Sequence, residues 1–150
     1  MNRFDEAKSL FEGGCNCCQA VFCAFLDEIN MTKEDALRLS AGFGGGFGRL
    51  REVCGAVSGM TMVLSNKFAS VDPNDKEAKA ALYALIQKAA DDFKKENGSI
   101  VCRELLGLAE KNSSPVPEER TKEYYKKRPC SELVKCAAEI TEKYLSEAKK

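Results

Sequence analysis

Eight cysteines and no histidine define the chemistry open to this chain of 150 residues. Three cysteines lie in one run, Cys15-Asn16-Cys17-Cys18, and Cys23 follows closely. Cys54, Cys102, Cys130 and Cys136 stand well apart along the rest of the chain. Without histidine there is no Ser-His-Asp or Cys-His nucleophile, and no histidine-containing zinc site. Thiolate must therefore supply most of any metal ligation. Asp5, Glu6 and Glu12 near the start argue against a signal peptide, so a cytoplasmic location is expected. That compartment keeps thiols reduced. Metal ligation, redox catalysis and plain burial are then the uses left for eight thiols.

Position sorts the thiols. Cys17, Cys102 and Cys130 fall in the first turns of predicted helices, and Cys54 near the start of another. A helix start carries free N–H groups and a partial positive charge, and both stabilise a thiolate. Arg49 and Arg51 precede Cys54, Arg103 follows Cys102, and Arg128 precedes Cys130. Such surroundings are expected to lower a thiol pKa from about 8.5 toward neutrality. Cys15 and Cys18 form a C-x-x-C, a spacing suited to metal or dithiol redox chemistry, and are secondary candidate ligands. Cys23 and Cys136 lie within apolar helix faces, where burial is the expectation.

Seven of the eleven glycines lie between Gly42 and Gly59. The first of them make a loop, Gly42-Phe43-Gly44-Gly45-Gly46-Phe47-Gly48, that ends on Arg49 and Arg51. No strand precedes it and no Gly-Lys-Ser/Thr follows, so a nucleotide phosphate loop is not indicated. A tight turn beside Cys54 is the better account. Backbone N–H groups of Gly44, Gly45 and Gly46, with Arg49 and Gly55, would then border an anionic thiolate site.

The elements that must position these residues read as helices. Apolar residues recur at helical spacing over 3–12, and Gly13-Gly14 ends that segment. Asn16 caps the next, which runs to about Ile29 and is apolar nearly all round, as a central helix or one at a dimer interface would be. Thr32 caps a third, stopped by Gly42. A fourth spans about Val53 to Phe68, where Gly55 and Gly59, one turn apart, would let another backbone come close. Asp72 as cap and Pro73 at the first position predict a long helix to Asn97. Its stripe is Ala78, Leu82, Leu85, Ile86, Ala89 and Phe93. Ser99 would cap a short helix over Ile100–Leu106, and residues 107–117 read as a loop. A short helix over 118–127 and a last one opened by Pro129 complete the chain. No segment alternates with period two. The expectation is an all-α fold, a compact helical bundle of about six to seven helices around a central glycine-rich loop, forming a single domain over residues 1–150.

Composition excludes some partners. Basic and acidic residues balance at 23 each, which gives no electrostatic case for nucleic acid. The basic run Lys126-Lys127-Arg128 is offset by Glu118, Glu119 and Glu123 and reads as a solvated face. No uncharged run reaches the roughly 18 residues a spanning helix needs, so no membrane insertion is expected.

The motifs resemble, in order and spacing, the redox-active family named for its C_GCAxxG_C_C pattern. The residues concerned are Asn16-Cys17, Gly42-Phe43-Gly44-Gly45-Gly46, Cys54-Gly55-Ala56-Val57-Ser58-Gly59, Cys102-Arg103-Glu104-Leu105-Leu106-Gly107, and Cys130 ahead of a helical tail. The resemblance implies four shared cysteines, here Cys17, Cys54, Cys102 and Cys130. A related domain of split-Soret cytochromes c is associated with an iron–sulfur centre, but this chain has no Cys-x-x-Cys-His for a c-type haem. The implied function is an oxidoreductase or electron-transfer protein whose four thiols ligate an iron–sulfur cluster, [2Fe–2S] favoured, and that meets an electron-transfer partner protein. Three alternatives stand beside it. One is metal-free thiol–disulfide exchange with Cys54 or Cys17 attacking. Another is a zinc or copper(I) module on Cys15, Cys17 and Cys18. The last is a helical domain whose cysteines are mostly core.

Overall fold

Side-chain caps begin most of the helices. In the computed structural model, which describes residues 2–107 and 114–149, Asn2 caps α1 (Arg3–Glu12) by accepting from the Asp5 amide. Asn16 and Gln19 form a reciprocal capping box at the head of α2 (Cys17–Cys23), with bonds of 2.9 and 3.0 Å. Thr32 caps α4 (Lys33–Ser40) as expected. Other boundaries differ from the sequence reading, and the short helix expected over 118–127 forms only over Lys122–Lys127. The segment 17–29 is two helices, because the chain bends at Ala24–Phe25 before α3 (Leu26–Ile29). The bend keeps Phe22 and Phe25 buried and sets the largely buried Glu28 side chain against Arg3 and Lys149. The long α6 (Lys76–Asn97) is capped by Asp75, whose carboxylate takes the Ala78 amide at 3.0 Å. Asp72 instead accepts from the Asn74 amide in the preceding turn, which leaves Pro73 outside the helix. Likewise the Ser99 hydroxyl takes the Val101 amide, so α7 (Cys102–Leu105) starts at Cys102 itself.

The remaining helices are α5 (Gly55–Phe68), α8 (Lys122–Lys127) and α9 (Cys130–Ala148). A short 3-10 turn over Ala41–Phe43 leads from α4 into the glycine loop. The fold is all-α. No strand occurs among the described residues, only an isolated antiparallel bridge between Val53 and Val101. Residues 108–113 of the expected 107–117 loop, and the side chains of Lys126 and Lys127, lie outside the described residues.

Helices α2, α5 and α9 share the centre, with Phe22, Met60, Leu64, Val134 and Leu145 buried together. α1 lies on α9 through Ala7 and Phe11. α6 adds Ala89 and Phe93 to the core, while Leu82, Leu85 and Ile86 are only half-buried. The expected close approach at Gly55 and Gly59 is present. A Cβ at Gly59 would stand 2.8 Å from the Cys18 carbonyl oxygen, and one at Gly55 would stand 3.1 Å from the Cys17 Cβ. α5 can therefore lie against α2 at backbone distance, which sets its N-terminus next to the start of α2. Among the described residues no helix is long and apolar enough to cross a membrane.

Candidate functional site

Four helix starts meet at one place. Cys17 is the first residue of α2, Cys102 of α7 and Cys130 of α9, and Cys54 is the residue immediately before α5. The Val53–Val101 bridge brings two of these starts together. The Cys54 amide donates to the Ile100 carbonyl at 2.8 Å, and the Cys102 amide to the Glu52 carbonyl at 2.6 Å. The glycine loop closes over the pair. Gly46, at φ +72°, presses so near that an added Cβ would meet the Cys102 Cβ at 2.7 Å and the Arg51 Cα at 2.9 Å. Only glycine holds that conformation without strain in so little space.

All four thiols line a single cavity of about 420 Å³. Gly44, Gly45, Gly46, Arg49 and Gly55 line it too. The loop's own carbonyls take several of its amides, with Gly44, Gly45 and Gly46 accepting from Arg49, Arg51 and Glu52. Cys15 and Cys18 stand apart from the cavity. Cys15 is half-buried, and its carbonyl accepts from Arg120 at 2.8 Å. Cys18 is fully buried and its thiol meets the Met62 sulfur at 3.5 Å. Cys23 is buried as expected. Cys136 is not: it is half-buried at the polar end of α6, between Asn97 at 3.4 Å and Glu96 at 3.9 Å.

Burial dominates the electrostatics of Cys54 and Cys102. The expectation of lowered pKa values at all four helix starts is corrected for three. Burial pushes the Cys54 thiol up to about 12 and raises Cys102 against the opposing pull of Arg51, which donates to its sulfur at 3.7 Å. Cys17 is raised by its hydrogen bond with Cys130 and by burial. Cys130 alone is lowered, first by that hydrogen bond and then by Arg128, Arg51 and Arg120. Cys130, not Cys54 or Cys17, is thus the thiol whose anion is favoured. Phe11, Leu105, Leu106 and Leu133 make much of the cavity wall apolar, which accounts for the raised thiols, while the nearby arginines offset that burial at Cys130.

Arg49, Arg51, Arg120 and Arg128 line the cavity, whereas Arg103 does not. Arg120 escaped the sequence reading because no cysteine adjoins it. It donates to the Phe11 and Cys15 carbonyls and lies 4.3 Å over the Phe11 ring. In the sequence Glu118 reads only as a counter-charge on a solvated face. It sits at the cavity with Arg49, Arg51 and Arg128 around one of its oxygens, at 3.4, 3.8 and 2.6 Å. Arg128 is accordingly a cavity residue and not part of a solvated face.

The donor set is chemically that of a thiolate-ligated metal centre. As they stand, no three Cys, Asp or Glu side chains among the described residues are grouped closely enough to hold a metal ion, in the cavity or around Cys15, Cys17 and Cys18. No curated protein and no solved structure matches the chain. One family does, under the description "Putative redox-active protein (C_GCAxxG_C_C)", over residues 15–144. That span takes in every thiol of the cavity, and the chain belongs to the C_GCAxxG_C_C family.

Proposed function

We propose that this chain is a redox protein in which Cys17, Cys54, Cys102 and Cys130 hold an iron–sulfur cluster, [2Fe–2S] in the first instance, for electron transfer to a partner protein. The observation that carries the reading is the convergence of four thiols, each from a different helix start, on one cavity. Four cysteine thiolates are the ligand set such clusters take. A mononuclear zinc or copper(I) centre needs its sulfurs gathered about one ion, roughly 2.3 Å from zinc. A polynuclear cluster spreads its ligands more widely, which suits thiols that line a cavity without meeting at a point. Bound there, a cluster supplies a one-electron redox couple.

The chain's own residues do the rest. Four helix starts fix the sulfurs, and the glycine loop admits them at close range. Arg51 and Arg128 offset negative charge at the thiolates, which favours the reduced state and raises the potential. Phe11, Leu105, Leu106 and Leu133 put apolar surface beside the sulfurs. The test is a visible spectrum of anaerobically purified protein with iron quantified on the same sample. Iron with charge-transfer bands, bleached by dithionite and lost in the four-fold Cys→Ser variant, is expected. Metal-free protein that also refuses reconstitution would sink the reading.

The placement of Cys17 and Cys130 on one cavity, each the first residue of a helix, favours a second, metal-free reading. A Cys130 thiolate would attack a disulfide substrate, releasing one thiolate of it. Cys17 would then resolve the mixed disulfide, leaving a Cys17–Cys130 disulfide and a substrate reduced to two thiols.

A further inference from the structure

Among the described residues, four guanidiniums line the cavity against one carboxylate, that of Glu118. Guanidinium stays charged at any ordinary pH. Three of the four share one oxygen of that carboxylate. Arg51 is the least satisfied of them. The residue is 6% exposed, its Nη1 reaches the Cys102 sulfur at 3.7 Å, its Nη2 lies 3.8 Å from Glu118, and its Nε has no partner among the described residues. A buried guanidinium N–H without a partner carries a desolvation cost that an acceptor would remove. Arg49 reaches Glu118 and also the Ser114 and Val116 carbonyls, which holds the segment carrying Glu118 across the cavity mouth. Glu118 is the most exposed member of the group, its side chain 38% accessible against 8–17% for the three arginines.

We propose that Arg49, Arg51 and Arg128 form an oxyanion-binding site beside the thiols, and that the Glu118 carboxylate is the internal occupant that an incoming small oxyanion displaces. The fork of a guanidinium matches a carboxylate, sulfate or phosphate edge equally well, and Glu118 demonstrates the fit for one carboxylate oxygen. The cavity has room for a small molecule in addition to the side chains that border it. The ligand class is therefore a small oxyanion brought within reach of Cys102 and Cys130. The proposal rests on the redox reading only for what the thiols then do with the ligand; the binding itself does not depend on iron or on a disulfide.

The experiment titrates malonate, sulfate and phosphate separately into the full chain by calorimetry, at constant ionic strength. Saturable binding to the wild type is expected, tightened by at least about tenfold in Glu118→Gln, where the internal competitor loses its charge. Arg49→Gln should weaken it by a similar factor and Arg49→Lys should restore part of it. Circular dichroism confirms that each variant folds, and Glu118→Gln, at a partly exposed position, reads in the gaining direction that misfolding cannot mimic. Tightest binding of malonate assigns a carboxylate ligand; tightest binding of sulfate or phosphate assigns a tetrahedral one. Absence of saturable binding in both wild type and Glu118→Gln overturns the proposal, as does binding that Arg49→Gln leaves unchanged. The visible spectrum and iron content are read on the same samples, so loss of the redox reading and loss of the anion site register independently.

Discussion

Cys130 and Cys54 face the same cavity with opposite tendencies. A hydrogen bond from Cys17 and three arginines favour the Cys130 thiolate, whereas burial holds the Cys54 thiol up to about 12. In metal-free protein the order of alkylation follows. As pH rises from 6 to 9, iodoacetamide should label Cys130 first and leave Cys54 unlabelled, because only the thiolate reacts. Replacing Arg128 with Gln should shift the Cys130 labelling curve to higher pH, read by peptide mass spectrometry. Equal rates at the two sites would show that the arginines do not reach the sulfur. Gly46 supports a second expectation at this scale. Gly46→Ala puts a Cβ 2.7 Å from the Cys102 Cβ at a φ of +72°. The variant should lose roughly 2–3 kcal/mol in urea unfolding and alkylate faster at Cys102. The four cavity cysteines were legible in the sequence chiefly through the family pattern; of their helices only α2 has a side-chain cap, Asn16, to mark its start. Their ionisation was not: a helix start and an adjacent arginine can be read from spacing, but the apolar wall combines Phe11 and Leu133, from opposite ends of the chain.

Among the elements, α2 and α5 matter most, because their backbone contact sets Cys17 beside Cys54. Gly59→Ala tests that contact. Alanine gains up to about 1 kcal/mol of helix propensity. Against it, a Cβ would meet the Cys18 carbonyl oxygen at 2.8 Å and the Val21 Cβ at 3.0 Å. Backbone cannot give way as a flexible side chain can, so the clash should prevail, with a net loss of about 1–2 kcal/mol in chemical denaturation. Because Cys54 adjoins the first residue of α5, its alkylation should also speed up; a stabilised variant with unaltered Cys54 would refute the packing argument. Gly55 and Gly59 were readable as a close-approach face because two glycines one turn apart weaken a helix unless a neighbour needs the space. Other element features were not readable. Asp72 and Asp75 are both sound caps, and only the folded turn shows Asp72 spent on Asn74. A one-pair bridge such as Val53–Val101 is too short for any alternation to reveal. The placement of Arg120 against the cavity rests on bonds to Phe11 and Cys15, 109 and 105 positions away, and that of Glu118 on Arg49, 69 positions away, and on Arg51.

Over the whole molecule the balance of 23 basic and 23 acidic residues conceals an acid sensitivity. Several carboxylates fasten segments that are distant in the chain. Glu28 on α3 pairs with Lys149 past the end of α9 at 2.7 Å, with Arg3 of α1 at 3.3 Å and with Lys67 of α5 at 3.7 Å. Glu132 on α9 holds Lys8 of α1, and Asp92 on α6 holds Tyr144 and Lys143 of α9. Each of these carboxyls is held below its usual range: Glu28 chiefly by the bond from Lys149, Glu132 by that from Lys8, Asp92 by that from Tyr144. A carboxyl whose folded pKa is depressed contributes stability that is complete above its unfolded value, near 4, and lost as pH falls through the folded one. Protonation also leaves 23 cations without counter-charge, so self-repulsion adds to the loss. The unfolding midpoint in urea should therefore be flat from neutrality to about pH 5 and fall steeply below about pH 4. Glu28→Gln should lower it modestly at pH 7, since partly exposed ion pairs contribute no more than about 1 kcal/mol each, and should make the acid limb shallower. Salt at 1 M should diminish the difference between variant and wild type at pH 7. Acid limbs of equal slope in the two proteins would mean that the ties made by Glu28 do not hold the ends of the bundle together.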